Sequence, residues 1–414
     1  MAGSPATTSP DPSFGLAVAD WRIVPVGLRQ PLKVLRHNWH RGNLDLVLPN
    51  GKAFEIRGQL PGPHGVLRVR DFRFLKRVLA AGDIGFCDGY VAEEWDTPDL
   101  PELLEVFTLN IDRLQRFLTG NPLVIFINRI LHALKHNSRE GSRRNIFAHY
   151  DLGNAFYGEW LDATMTYSSA LFEGTEGLEA AQTAKYAALA RLVDLKPGQH
   201  VLEIGCGWGG FAEYAAGVIG AKATCLTISP AQHAFAVERM KRQGLSDRVE
   251  VRLLDYRDVT GQFDAIVSIE MFEAVGQAYW DAYFRQVADR LKPGGKAGLQ
   301  IITIRDDLFE SYRRRPDFIQ KYIFPGGMLP SLEKLNLHSE KAGLEVMSDM
   351  AFGQDYALTL NLWARRFEAA WGEGRIKGFD AAFRKMWLFY LAYCEAGFRT
   401  GRTNVVHYGL TRPA

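Results

Sequence analysis

The chain has 414 residues, an apolar fraction of 47%, a charged fraction of 23% and a formal net charge of +2. Its length exceeds the roughly 100–200 residues of a usual domain and predicts more than one structural unit. Near-neutral charge excludes a strongly basic nucleic-acid binder, and four scattered cysteines (Cys87, Cys206, Cys225, Cys394) without a CxxC pair argue against a zinc site or disulfide framework and fit a reducing cytoplasm.

The start, MAGSPATTSPDPSFG (1–15), is small, polar and Pro-rich, so it reads as a disordered tail rather than a signal peptide. Residues 16–110 are expected to form a small α+β domain. Strand-like LDLVLP, AFEIRG and GVLRVR are broken by Asn-Gly and Pro-Gly-Pro turns, then FRFLKRVLAAG reads as a helix closed by Gly82. PDLPELLEVFTLN follows as a helix with Pro at its start and acids in its first turn.

Residues 111–148 carry an apolar LVIFINRILHAL flanked by Arg113, Arg116, Arg129, Lys135, Arg139, Arg143 and Arg144. Two readings stand. The segment is an interfacial helix drawn to anionic lipid, each nearby cation contributing up to about 1 kcal/mol, or it is a core helix followed by a solvated basic linker. No run in the chain reaches the roughly 18 apolar residues of a membrane-spanning helix.

From 149 to 414 the pattern alternates: HVLEIGCG, a helix, KATCLTIS, a helix, VEVRLLD, FDAIVSIE, a helix, KAGLQIITI. That rhythm predicts an α/β fold with a mostly parallel sheet covered on both faces. The final FDAAFRKMWLFYLAYCEAGFRTG reads as an aromatic-rich helix running to the C-terminus.

VLEIGCGWGG places a buried strand ahead of Gly205, Gly207, Gly209 and Gly210, where a backbone without Cβ atoms can approach a ligand. The spacing also satisfies the dinucleotide fingerprint, but that fold wants an acid at the end of the second strand to hold a ribose. Here the second strand ends Cys225-Leu226-Thr227-Ile228-Ser229-Pro230. Glu203 instead precedes the glycines, and Asp255-Tyr256 follows the third strand. This layout is that of a class I S-adenosylmethionine (SAM) methyltransferase, a Rossmann-like sheet with an acid near the adenine amine. Just before it, HYDLGNAFYGEWLDATMTYSSALF (149–172), with His149, Tyr150, Asn154 and Tyr167, is placed to close over the cofactor and exclude water; the alternative is a structural extension.

HYDLGN, MTYSSALF, LEIGCGWGG, LTISPAQ, SIEMFEAVG, YIFPGGMLPS and FGQDYALTL, in that order, resemble the cyclopropane fatty acid synthase family. The resemblance covers nearly the whole chain, including VRDFRFLKRVLAAGDIGFCDGYVAEEWDTPDL in the N-terminal region. It implies SAM as donor and the cis double bond of a phospholipid acyl chain as acceptor. It further implies an N-terminal domain for lipid access, a homodimer, and a cytoplasmic protein peripheral to the inner face of the membrane. SAM contacts carried over are Tyr167, Ser168, Gly205, Gly207, Thr227, Ile228, Gln232, Asp255 and Tyr256, with the Gln232 amide taking the place of the absent ribose acid. No metal is implied.

Methyl transfer to an alkene leaves a carbocation, which needs aromatic faces or carboxylates nearby and a base to remove a proton. Proton loss from the new methyl closes a cyclopropane; loss from a neighbouring carbon leaves a methyl-branched alkene. Family members use a bicarbonate ion as this base, and its ligands map to Ser169, Glu273, Ile302, Ile304 and Tyr356. Glu273 and Tyr356 match. Ser169 stands where the family usually has cysteine and Ile302 where it has histidine, departures that argue against bicarbonate because a buried anion without partners is costly. Glu270, where the family commonly has glycine, is the expected replacement: a carboxylate of the chain itself at the end of the fourth strand. Catalytic candidates are therefore Glu270, Glu273 and Tyr356. Ser169, Ile302, Ile304, Tyr322, Phe324 and Cys394 are expected to line the acyl pocket, joined by Trp387, Phe389, Tyr390 and Phe398.

The rival reading is a SAM methyltransferase of a soluble small molecule. A DNA methyltransferase is disfavoured because the fourth strand ends SIEMFE rather than in an Asn/Asp-Pro-Pro-Tyr stacking motif.

Overall fold

The computed structural model describes residues 26–118 and 152–414. The expectations for 1–15 and for most of 111–148, with those for His149 and Tyr150, lie outside the described residues.

Helix α1 (Val26–Asn38) leads into β1 (Arg41–Val47), β2 (Ala53–Arg57) and β3 (Leu60–Val69). Alternation places Leu44, Leu46, Phe54, Ile56, Leu67 and Val69 on one buried face. The Asn50-Gly51 turn joins β1 to β2, with Gly51 at φ 79°. Helices α2 (Arg73–Ala81) and α3 (Asp83–Val91), the short β4 (Trp95–Asp96) and α4 (Leu100–Leu118) complete this region. The sheet order is β2-β1-β3-β4, with β1 and β3 parallel. Gly82 ends α2 with φ 62°, as its position predicts. Helix α4 runs unbroken through the boundary expected at 110/111. Asn110 is why it lies where it does. Its buried amide accepts from the His40 and Arg41 N–H groups at 2.7 and 3.0 Å and donates to the Arg41 and Val106 carbonyls at 2.8 Å each.

The second region opens with α5 (Asn154–Gly158) and α6 (Leu178–Leu192), followed by β5 (His200–Ile204), α7 (Gly210–Tyr214), β6 (Lys222–Thr227), α8 (Pro230–Arg242), β7 (Val249–Leu253), β8 (Phe263–Ile269), α9 (Trp280–Arg290) and β9 (Leu291–Ile304). Then come α10 (Asp306–Tyr312), α11 (Leu332–Lys341), β10 (Glu345–Ala351), α12 (Gly353–Gly372), α13 (Ala381–Arg399) and β11 (Thr403–Thr411). The seven-stranded sheet has the order β7-β6-β5-β8-β9-β11-β10. Strands β5 to β9 are mutually parallel, and β11 runs antiparallel to both β9 and β10. This is the α/β class and the Rossmann-like arrangement expected.

The expected helix to the C-terminus stops at Arg399. Gly401, at φ 69°, turns the chain back into β11, which enters the sheet between β9 and β10. VVHYGL is buried on both faces, so it lacks the alternation that marks a surface strand. One apolar core spans both regions: Phe86 and Trp95 from the first meet Phe389 of α13, and Phe389 in turn meets Phe318 at 5.1 Å. Polar ties cross there too, including Arg402 to Asp112 at 2.7 Å.

Candidate active site

Strand order reverses direction at β5, with β6 on one side and β8 on the other; open α/β sheets bind ligands outside the carboxyl ends at such a point. The glycine loop leaves β5 there, and SIEMFE leaves β8 beside it. The two loops touch closely. Gly205 has φ 82°, and a Cβ on it would lie 2.6 Å from the Met271 side chain, so glycine is required by conformation and by space. LTISPAQ is a helix start: Pro230 occupies the first turn of α8 and Ser229 Oγ accepts from Gln232 N at 3.3 Å.

A cavity of about 1760 Å³ opens from these loops. Tyr167, Ser168, Gly205, Gly207, Thr227, Ile228, Gln232, Asp255 and Tyr256 all line it. Asp255 also holds Arg257 through its own carboxylate, at 2.6 and 2.8 Å. Glu203 lines the same end with Oε2 enclosed and unpartnered, and burial pushes its carboxyl up to about 8. A buried acid in this state, beside glycines and the Gln232 amide, fits a ligand that brings a cationic amino group and ribose hydroxyls, as SAM does.

Residues 152–172 pack onto this end. Asn154 accepts from Trp208 Nε1 of the glycine loop at 2.8 Å, and Arg239 of α8 donates to the Thr164 carbonyl at 2.7 Å. FGQDYALTL holds the following stretch, Ala170 N donating to Thr359 Oγ1 at 3.1 Å and Phe172 N to Asp355 Oδ2 at 2.8 Å.

Glu270 stands at the junction of the cavity's two ends. Its Oε1 accepts from Ser169 N and Gln300 Nε2, both at 2.8 Å, and its Oε2 from the Tyr356 hydroxyl at 2.6 Å. Its φ is 49°, a left-handed conformation costing a non-glycine residue about 1 kcal/mol or more. Desolvation raises its carboxyl above the ordinary range, opposed by Tyr356, Lys185, Ser169 and Gln300. Gln300 is itself oriented by His407 Nε2, which donates to its Oε1 at 2.9 Å. Desolvation takes His407 down to about 3, leaving it neutral.

Glu273 differs. Its Oε1 accepts from Ile302 N while Oε2 is enclosed without a partner, and desolvation with the Glu270 charge pushes it up to about 8. Met328 N donates to its carbonyl at 2.9 Å, which ties the PGGM turn to this loop.

Beyond Glu270 most of the lining is apolar, with Asp83, Arg314, Arg315, Asp317, Gln320 and Arg402 also on it. Ile302, Ile304, Phe324, Phe389, Tyr390, Cys394 and Phe398 line the cavity here, Cys394 with its thiol pushed up by burial. It then continues between α4 and the first sheet, past Phe86, Phe107 and Leu104 to Leu67, Leu46 and Leu44. Three expectations are corrected. Ser169 does not line the cavity: its hydroxyl donates to the Ala170 carbonyl at 2.9 Å, and it serves the site through its backbone, its N–H donating to Glu270 and its carbonyl accepting from Gln300 Nε2 at 3.2 Å. Tyr322 turns outward, its hydroxyl donating to Asp88 of α3 at 2.9 Å. Trp387 is likewise off the cavity, enclosed against Phe156 and Phe383. Sequence reasoning passed over Gln300 and Lys185; a lone glutamine inside the apolar KAGLQIITI was the available signal for the first.

The model of the family described as mycolic acid cyclopropane synthetase matches residues 137–408. The tuberculostearic acid methyltransferase UfaA1 of Mycobacterium tuberculosis is 36% identical over 98% of this chain and 98% of its own. The cyclopropane-fatty-acyl-phospholipid synthase of Escherichia coli K12 is also 36% identical, over 87% of this chain and 90% of its own. The chain belongs to the cyclopropane fatty acid synthase family. Among family structures, the cyclopropane synthase MmaA2 from M. tuberculosis superposes with a TM-score of 0.61 at 30% identity, covering 65% of this chain and 98% of that one. The mycolic acid cyclopropane synthase CmaA1, solved with S-adenosylhomocysteine and CTAB, gives 0.62 at 29%, covering 65% and 98%.

Proposed function

We propose that this protein is a SAM-dependent C-methyltransferase that acts on the cis double bond of an unsaturated phospholipid acyl chain and uses Glu270 as its base. A SAM-dependent enzyme of the cyclopropane synthase type follows from family membership. The observation carrying the finer reading is the Glu270 carboxylate, hydrogen-bonded to Ser169 N, Gln300 and Tyr356 where the glycine-loop end of the cavity meets its apolar end.

SAM supplies an electrophilic methyl group, whose transfer to a double bond leaves a positive charge on the acyl chain. The chain's own residues then do three things. Glu203, Gln232 and the glycine backbone hold the cofactor's amino and ribose groups. The Tyr356 and Tyr390 rings and the Glu270 carboxylate stabilise positive charge nearby. Glu270 takes a proton from the carbon chain as its C–H electron pair moves into the new bond. Glu273, protonated at neutral pH, gives Glu270 a neutral neighbour, so the pair divides into one acid and one base.

Bicarbonate does not fit. Two of the groups that would hold it, at Ser169 and Tyr356, are occupied by Glu270, and Ile302 offers no polar side chain. With Glu270 as base we propose a methylated, unsaturated chain as product rather than a ring. The relative similar over 98% of both chains is likewise named a methyltransferase. We also propose that residues 16–110 admit the acyl chain, that the basic 111–148 segment rests on anionic lipid, and that the enzyme works as a homodimer on the inner membrane surface. Among the described residues no helix is long and apolar enough to cross a membrane.

The test is incubation with labelled SAM and vesicles of cis-monounsaturated phospholipid, with mass spectrometry of the acyl methyl esters. A gain of one CH₂ with fragmentation at a branch is expected. Cyclopropane fragments would overturn the product assignment, and no labelled lipid alongside SAM binding would point to a soluble acceptor. Glu270→Gln is expected to lose turnover by 100-fold or more, on the order of a missing general base, while S-adenosylhomocysteine binds as before.

A further inference from the structure

Behind the wall that holds Glu270 lies a lysine that the mechanism above does not use. Lys185 of α6 has 0% exposure and does not line the cavity. Its Nζ donates to Ser168 Oγ and to Gln182 Oε1, both at 2.6 Å, and Gln182 Nε2 donates to the Ser168 carbonyl at 2.9 Å. These acceptors are all neutral. An ammonium enclosed among neutral groups costs several kcal/mol unless charge of the opposite sign stands close by. The carboxylates that act on it are Glu270 first, then Asp162 and Glu203. Lys185 in turn draws the Glu270 carboxyl down against its desolvation.

The covalent path between the two is short. Ser168, clamped by Lys185 and Gln182, is followed by Ser169, whose N–H donates to Glu270. We propose that Lys185 is a positioning residue for Glu270: it clamps the Ser168–Ser169 turn that donates to this carboxylate and serves as its buried counter-charge. The proposal rests on the reading of Glu270 as base. Lys185 touches neither the cavity nor any reacting atom, so it acts through Glu270.

The groups facing this pair can be named. Tyr356, Glu273 and Cys394 face Glu270; Asp162, Glu203 and the Tyr186 ring, 5.0 Å away, face Lys185; His407 reaches both regions through Gln300. Burial holds Tyr356 and Cys394 protonated and His407 neutral. Glu203 and Glu273, each pushed up to about 8, lose protons on the alkaline side. Burial draws Lys185 itself down to about 7, so the acidic limb of the pH profile belongs to Glu270 and Lys185 titrating as a pair.

Lys185→Met keeps length and apolar packing while removing the charge, and it lowers stability because Glu270 is left without its counter-charge. The readout is the Glu270 carboxyl itself, followed in the full-length protein as the infrared C=O band that Glu270→Gln lacks. In Lys185→Met the pH midpoint of that band should rise by about one unit or more, carrying the acidic limb of kcat with it, a roughly tenfold loss at a pH on that limb. KM for vesicles and affinity for S-adenosylhomocysteine should change less than threefold. Gln182→Met keeps the cation and loosens only the clamp, so its midpoint should rise by less than that of Lys185→Met. A merely structural lysine would lower the melting temperature and leave midpoint and limb in place, and that result overturns the proposal. Should Glu270→Gln retain turnover, the base assignment falls, while the infrared midpoint still decides whether Lys185 governs this carboxylate.

Discussion

At Glu270, backbone and side chain pull in opposite directions. A φ of 49° favours glycine, and a desolvated carboxylate is costly, yet three donors converge on it. Glu270→Gly should therefore lose turnover, and the strain it relieves should be outweighed by stranding the Lys185 ammonium, so the melting temperature falls. Because the substitution vacates the groups on Ser169 and Tyr356, added bicarbonate should restore part of the activity; no rescue at any concentration would show that the pocket cannot seat a free anion. Glu273 makes a separate prediction with a definite sign. Its carboxyl is raised from 4.5 to about 8 in the folded protein, so its contribution to stability is complete below pH 4.5 and is lost as pH rises through about 8. Glu273→Gln should flatten the fall of melting temperature with pH between about 5 and 8. Activity of the wild type should also decline above pH 8, as Glu273 ionises beside Glu270.

Among the elements, α4 and the strands beneath it depend on one buried amide. Asn110→Ala would leave the His40 and Arg41 N–H groups and the Arg41 carbonyl without that partner, costing about 2–3 kcal/mol. A drop in the first denaturant midpoint, with the SAM-binding end unaffected by calorimetry, is expected. Helix α6 was not read from the sequence, and nothing in AAQTAKYAALA says that the lysine points inward. An isolated Lys on a helix is ordinarily solvated. The same limit hid β11, where burial on both faces erases the period-2 signal. By contrast LEIGCGWGG and LTISPAQ were readable because their function is local: glycines permit a tight loop, and Ser-Pro starts a helix.

Across the whole molecule, one cavity joins the two sheets. It begins at the glycine loop, passes Glu270 and ends against Leu44, Leu46 and Leu67 of the first sheet. If this far end receives the distal part of the acyl chain, narrowing it should select shorter chains. Thr108→Phe, at a half-buried cavity position on α4, should reduce kcat/KM for long monounsaturated chains several-fold more than for short ones, measured on vesicles of matched head group. Equal loss for both lengths would place the chain elsewhere.

Ordered motifs in the sequence determined the α/β class, the SAM-type glycine loop and the family, because each depends on residues close together along the chain. They also exposed the Glu270 and Ile302 departures. Tertiary structure alone decided what those departures amount to. Ser169 serves through its backbone and not its hydroxyl; Tyr322 bonds to α3 instead of facing the cavity; Gln300, His407 and Lys185 converge on Glu270 from three separate elements. Such convergence spans more than 100 residues, from Ser169 to Glu270 and on to Tyr356. No local pattern encodes a distance between groups so far apart in sequence, and the chemistry of a carboxylate depends on that distance.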